Sequence, residues 1–142
     1  MVQGSFELSN NSSIRIKGKS FDLNAFKGLN DILQKLTHKN KTKNISLIGN
    51  FNTELQFKSI FSKANEIDEA LSLLQHITRT IEESSVKFIS HVNGVVRGPA
   101  LELVLSCNCI KAEINTYLDF TYTSEDTIPF FGSIQRVIKI LG

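Results

Sequence analysis

The chain has 142 residues, 41% of them hydrophobic and 21% charged, with a formal net charge of +2. That length and balance suit one folded domain over residues 1–142 with a core of its own. The small, scattered charge argues against nucleic acid as a partner, and no run approaches the ~18–20 apolar residues of a membrane-spanning helix. The N-terminus lacks the apolar stretch of a secretory signal. Cys107 and Cys109 lie two apart, and on a helix they would point to different sides, so a disulfide between them would be strained, which predicts a reduced, cytoplasmic protein.

In chain order, Ser5–Leu8 and Ser13–Lys17 alternate apolar and polar residues around Asn10, Asn11 and Ser12, so a hairpin, or two adjacent strands of one sheet, is expected there. Asp22 or Asn24 offers a cap to a helix reaching Lys35, with Phe26, Leu29, Ile32, Leu33 and Leu36 at helical spacing. The basic run Lys35–Lys43 reads as a solvated connection. Asn44–Gly49 is a short apolar run suited to a strand covered on both faces, and Asn50–Lys58 reads as a polar loop. From Ser59 to Glu83, apolar residues recur every three or four positions, which predicts a long amphipathic helix ending at Ser84-Ser85.

The most informative stretch is Lys87–Cys107, KFISHVNGVVRGPALELVLSC. It predicts a buried strand, a turn at Asn93-Gly94, a short piece at Val95-Val96, and then Arg97-Gly98-Pro99-Ala100 opening a helix. A strand that feeds a tight turn into a helix gathers backbone N–H groups with no local acceptor. Further on, Ile110–Ala112 and Tyr117–Phe120 read as short extended pieces, and Ile134, Val137, Ile138 and Leu141 mark a last helix. The order β β α β α β α β α implies an α/β architecture.

The Lys87–Cys107 stretch resembles the crotonase family of enoyl-CoA hydratases and isomerases, whose motif runs A-V-N-G-x-A-x-G-G-G-x-E-L-A-L-A-C-D. From Phe88 the resemblance extends to the last residue without a gap. Asn93-Gly94, Gly98, Glu102-Leu103, Cys107, Ala112, Ile128-Pro129, Gly132, Gln135-Arg136 and Gly142 match the family's residues. It implies the crotonase/ClpP-like spiral of ββα units, truncated, because the family continues with a C-terminal part beyond the position of Gly142. The chain is thus expected to be a short form or an excised portion.

The family's chemistry rests on two backbone N–H donors that hold the thioester oxygen, with carboxylates moving protons. By the resemblance, the second donor falls on Pro99, between Gly98 and Ala100, and proline has no N–H. Pro99 also suits a helix start. The first donor falls on Leu55, within Thr53-Glu54-Leu55-Gln56, where the family's glycine and aspartate are replaced. Glu102 keeps the first carboxylate's place, as an acid/base or simply as an acid favoured by the helix dipole. By ungapped count Tyr122 occupies the second carboxylate's place, and a phenol is a poor base near neutral pH; Asp119, Glu125 and Asp126 are nearby acids, none of them in register.

Among other candidates, His91 is expected to pack against a helix and His76 to lie on the surface. Cys-x-Cys alone argues weakly for a metal, so no metal is expected, and no phosphate-binding loop is present. The resemblance therefore implies a crotonase-like protein with impaired catalysis. It would retain an acyl-CoA or carrier-bound thioester as ligand, or serve as a structural subunit, as a homo-oligomer or beside a homologue. The alternative is an active enoyl-CoA hydratase or isomerase of acyl-CoA metabolism using Glu102.

Overall fold

The alternation at the N-terminus builds the expected hairpin. In the computed structural model, which describes residues 3–10, 12–38, 44–56 and 67–120 (Ile67 by its backbone alone), β1 (Ser5–Ser9) and β2 (Ser13–Lys17) pair antiparallel, with Phe6 opposite Ile16 and Leu8 opposite Ile14. Asn10 takes φ 53° at the turn, a conformation its short polar side chain tolerates. Ile14 and Ile16 turn inward while Arg15 faces out, as a strand's two-residue period requires.

After β3 (Ser20–Phe21), Asp22 caps helix α1 (Leu23–His38): its Oδ1 accepts the Ala25 N–H at 2.9 Å. The helix runs on to His38 rather than stopping at Lys35, and Lys35 sits in the last turn, where the dipole favours a cation. Its buried face is Phe26, Leu29, Leu33 and Leu36. The chain returns as β4 (Asn44–Gly49), parallel to β2 with Leu47 opposite Ile14. Ile45 and Leu47 are buried, and the alternate residues Ser46 and Ile48 are half-buried.

Helix α2 is described over Ile67–Glu83 and buries Ala70, Leu74, Ile77 and Ile81. The earlier part of the expected helix, from Ser59, lies outside the described residues. The helix ends before Ser84, as expected, and the Ser84 hydroxyl oxygen accepts the Val86 N–H at 3.0 Å. Strand β6 (Lys87–Val92) then pairs parallel with β4, bringing Phe88 beside Ile45. After β7 (Val95–Val96) and helix α3 (Pro99–Ser106), β8 (Cys109–Ala112) joins β6 and β9 (Tyr117–Leu118) joins β7, both parallel.

The expectation of a structureless loop over Asn50–Lys58 needs correction. Within it lies β5 (Glu54–Leu55), paired parallel with β3. The Glu54 N–H donates to the Lys19 carbonyl and the Gln56 N–H to the Phe21 carbonyl, each at 2.8 Å. Ladder hydrogen bonds engage the backbone whatever the side chains' polarity, so a polar composition concealed a strand. An isolated parallel bridge, Asn52 to Arg97, links this segment to the end of β7.

The described strands fall into a five-stranded sheet, ordered β1-β2-β4-β6-β8, and two short pairs, β3-β5 and β7-β9. Each turn of the chain lays a long strand in the main sheet and a short one in the second layer; for the first three turns a described helix leads back. This is the α/β spiral of ββα units. Phe6, Phe21 and Phe26 cluster with ring centroids 5.0–6.1 Å apart, tilted as aromatic rings prefer. α1 packs against β1 and α2, and α2 against α3. Among the described residues, no helix is long and apolar enough to cross a membrane.

His91 is exposed rather than packed against a helix. Phe88, Ser90 and Val92 take the inward positions of β6, and the strand's alternation turns His91 the other way. Tyr122, Ile128-Pro129, Gly132, Gln135-Arg136 and the last expected helix lie outside the described residues.

Candidate functional site

The site is built where the short strands of the second layer end. After Val96 and Arg97, Gly98 takes φ 68° and ψ −145°, and α3 starts at Pro99. Gly98, the N-cap, has no side chain to satisfy the helix's first amides, and proline at the first position contributes none. The Leu101 and Glu102 N–H groups turn back to the Gly98 carbonyl at 3.1 and 3.3 Å. The Ala100 N–H donates to Thr53 Oγ1 at 3.0 Å. Every residue of α3 from Pro99 to Ser106 is buried, which matches its apolar character on all sides.

Thr53 is 1% exposed and joins this turn to the loop of the expected first donor. Its hydroxyl donates to the Arg97 carbonyl at 2.7 Å while accepting from Ala100. Its backbone N–H reaches the same carbonyl at 3.3 Å, and the Arg97 N–H donates to the Phe51 carbonyl at 3.0 Å. The backbones approach so closely that a Cβ on Gly98 would fall on the Thr53 carbonyl oxygen. Only glycine meets both that contact and the left-handed φ without strain.

The structure thus brings the Leu55 loop and the Gly98–Pro99–Ala100 turn side by side. Glu54 and Gln56 direct their N–H groups to β3. By alternation the half-buried Leu55 directs its own to the opposite edge, where the Thr53 N–H meets Arg97. Ala100 is 1% exposed. Glu102 lies in the first turn of α3 and is 3% exposed, an interior position that a carboxyl occupies only with compensation from its surroundings. Leu55, Gly98, Pro99, Ala100 and Glu102 therefore gather at the start of α3, whereas Tyr122 falls outside the described residues.

Two neighbours of the site were not singled out in the sequence. Thr53 reads there as an ordinary member of a polar loop. Arg97 Nε stands 4.0 Å from Asp119 Oδ2, and the Asp119 N–H donates to the Val96 carbonyl at 2.9 Å, so the ion pair spans β7 and β9 beside the turn. His76 is exposed, with Nε2 3.4 Å from Gln34 Nε2. Cys107 and Cys109 are free thiols. Desolvation pushes the Cys107 thiol up to about 12, a rise to which Cys109 adds and which a hydrogen bond with Ser90 opposes. Among the described residues, no group of His, Cys, Asp or Glu is arranged to hold a metal ion.

No protein-family model matches the sequence. An enoyl-CoA isomerase/hydratase of Mycosarcoma maydis is 31% identical over 78 residues, covering 54% of this chain and 28% of that protein. Among solved structures, an enoyl-CoA hydratase of Bacillus anthracis superposes with a TM-score of 0.77 at 21% identity, covering 98% of this chain and 58% of that one. An enoyl-CoA hydratase of Mycobacterium avium subsp. paratuberculosis gives 0.78 at 17% identity with the same coverage. The chain thus spans a little over half the length of these structures and about a quarter of the curated relative. It has the crotonase fold, the fold of the enoyl-CoA hydratases and isomerases that its sequence resembles.

Proposed function

We propose that residues 1–142 form a single crotonase-like domain that binds an acyl-CoA or carrier-bound thioester with its hydratase/isomerase chemistry impaired. The observation that carries this reading is the donor arrangement at α3. Pro99 has no N–H where the family places its second oxyanion donor, and the next amide, Ala100, is engaged by Thr53. Removing one such donor typically costs ~10²–10³ in rate. The changed first-donor loop around Leu55 and the phenol of Tyr122 in place of a carboxylate point the same way. The free thiols are in keeping with a reducing, cytoplasmic setting. The exposed apolar side chains of Val95, Ile114, Tyr117 and Phe120 support association with a second copy or a homologue.

The test is the unfolding stability of the chain on titration with CoA and a short acyl-CoA. A ligand at 100 times its dissociation constant adds ~2.7 kcal/mol. A saturable rise supports the reading, and its absence with both ligands contradicts it. A second reading, catalysis through Glu102 alone, is favoured by one observation: a buried carboxyl one turn into α3. It predicts a measurable turnover that Glu102→Gln abolishes, and a parent and variant that behave alike would rule it out.

A further inference from the structure

Helix α3 receives its cap from a residue 47 positions upstream of the amide it satisfies. An N-cap side chain ordinarily accepts from an amide two or three positions along its own helix, and Gly98 has none to offer. The hydroxyl of Thr53 fills that role from the opposite loop while donating to the Arg97 carbonyl. A hydroxyl that donates once and accepts once inside the protein, at 1% exposure, is a satisfied buried group. Its bonds tie together the two segments on which any thioester oxygen would rest, the turn at Gly98–Ala100 and the edge bearing the Leu55 N–H.

We propose that Thr53 is the positioning residue of this site: its hydroxyl fixes the Gly98–Ala100 turn against the Leu55 edge and keeps the Ala100 amide engaged within the protein. Thr53 touches no ligand; it acts through the turn. Its effect on ligand rests on the thioester-binding function proposed above, whereas its effect on Ala100 does not. The Ala100 N–H belongs to the first helical turn and has no partner within its own helix. The hydrogen bond to that amide, and the share of its exchange protection that the bond confers, therefore comes from Thr53.

The experiment compares the parent with Thr53→Val, which keeps the shape and removes the hydroxyl, and Thr53→Ser, which keeps the hydroxyl. Amide exchange at Ala100 and binding of a short acyl-CoA are read on all three. Thr53→Val is expected to speed Ala100 exchange about tenfold or more relative to Leu103, deeper in the same helix, and to weaken acyl-CoA binding at least fivefold. Thr53→Ser is expected to stay within about twofold of the parent in both. An Ala100 amide that exchanges equally in the parent and in Thr53→Val overturns the proposal, as does a Thr53→Ser variant that behaves like Thr53→Val. If Thr53→Val does not fold, Thr53→Ala, which also removes the hydroxyl, takes its place under the same criteria. Failure of every form to bind acyl-CoA refutes the thioester function and leaves the Ala100 result to judge Thr53.

Discussion

Replacing Gly98 with alanine tests whether the turn and the Leu55 loop are as closely joined as the geometry states. Gly98 has φ 68°, and its missing Cβ lies where the Thr53 carbonyl oxygen stands. Holding alanine at φ 68° and ψ −145°, a conformation almost confined to glycine, costs roughly 1–3 kcal/mol. The collision is with main-chain oxygen, which cannot rotate aside, so the segments must part. Four hydrogen bonds then come under strain: Arg97 N–H to Phe51, Thr53 N–H to Arg97, Thr53 Oγ1 to Arg97, and Ala100 N–H to Thr53 Oγ1. Losing half of them at about 1 kcal/mol each brings the total to roughly 3–5 kcal/mol. Urea unfolding of Gly98→Ala should show a lowered midpoint with an unchanged slope, the signature of altered stability without a change in compactness. A loss below about 1 kcal/mol, the lower bound of the conformational strain alone, would refute the close approach.

The other glycine worth replacing has the opposite sign. Gly28 sits exposed in α1 with no neighbouring atom within 4 Å of the place a methyl group would take, so Gly28→Ala should stabilise by about 0.5–1 kcal/mol; urea midpoints of the pair read it. Asp22→Ala removes the cap of α1 and should cost about 1 kcal/mol in the same assay, with Asp22→Asn within a few tenths. The Cys107 thiol, raised from 9.0 to about 12, should carry about a thousandfold less thiolate than an unperturbed thiol near neutral pH. Mass-resolved alkylation of the folded chain should therefore modify Cys107 far more slowly than the same residue in urea. Because the folded state holds that proton more tightly, the group's contribution is complete below pH 9.0 and is lost as pH rises from there towards about 12.

Local rules carried much of the fold. The hairpin follows from the alternation of Phe6, Leu8, Ile14 and Ile16, α1 from Asp22 and the Phe26–Leu36 face, and the α3 start from Gly98-Pro99. These depend on neighbours a few residues apart, so they are legible in a linear string. β5 was not, because its partner Phe21 lies far upstream and its own residues, Glu54 and Leu55, look like a loop. His91 went astray for a different reason: a strand's period shows that alternate residues face opposite ways, but burial of Phe88, Ser90 and Val92 decides which way is in. Thr53 is the clearest limit. Its function as a cap depends on a turn 44 and 47 positions away, and no spacing rule along the chain connects them. At the candidate site, the absence of an N–H at Pro99 was legible because proline lacks it in any fold, while the engagement of Ala100 required three-dimensional contact.

The proposed impairment is tested most directly by hydration of a short enoyl-CoA with the purified chain, followed as loss of the conjugated thioester's absorbance against a protein-free control. With Pro99 contributing no donor and the Ala100 amide held by Thr53, no rate above the control is expected, in protein whose stability nonetheless rises saturably with acyl-CoA. Ready turnover by the same preparation would contradict the proposed impairment.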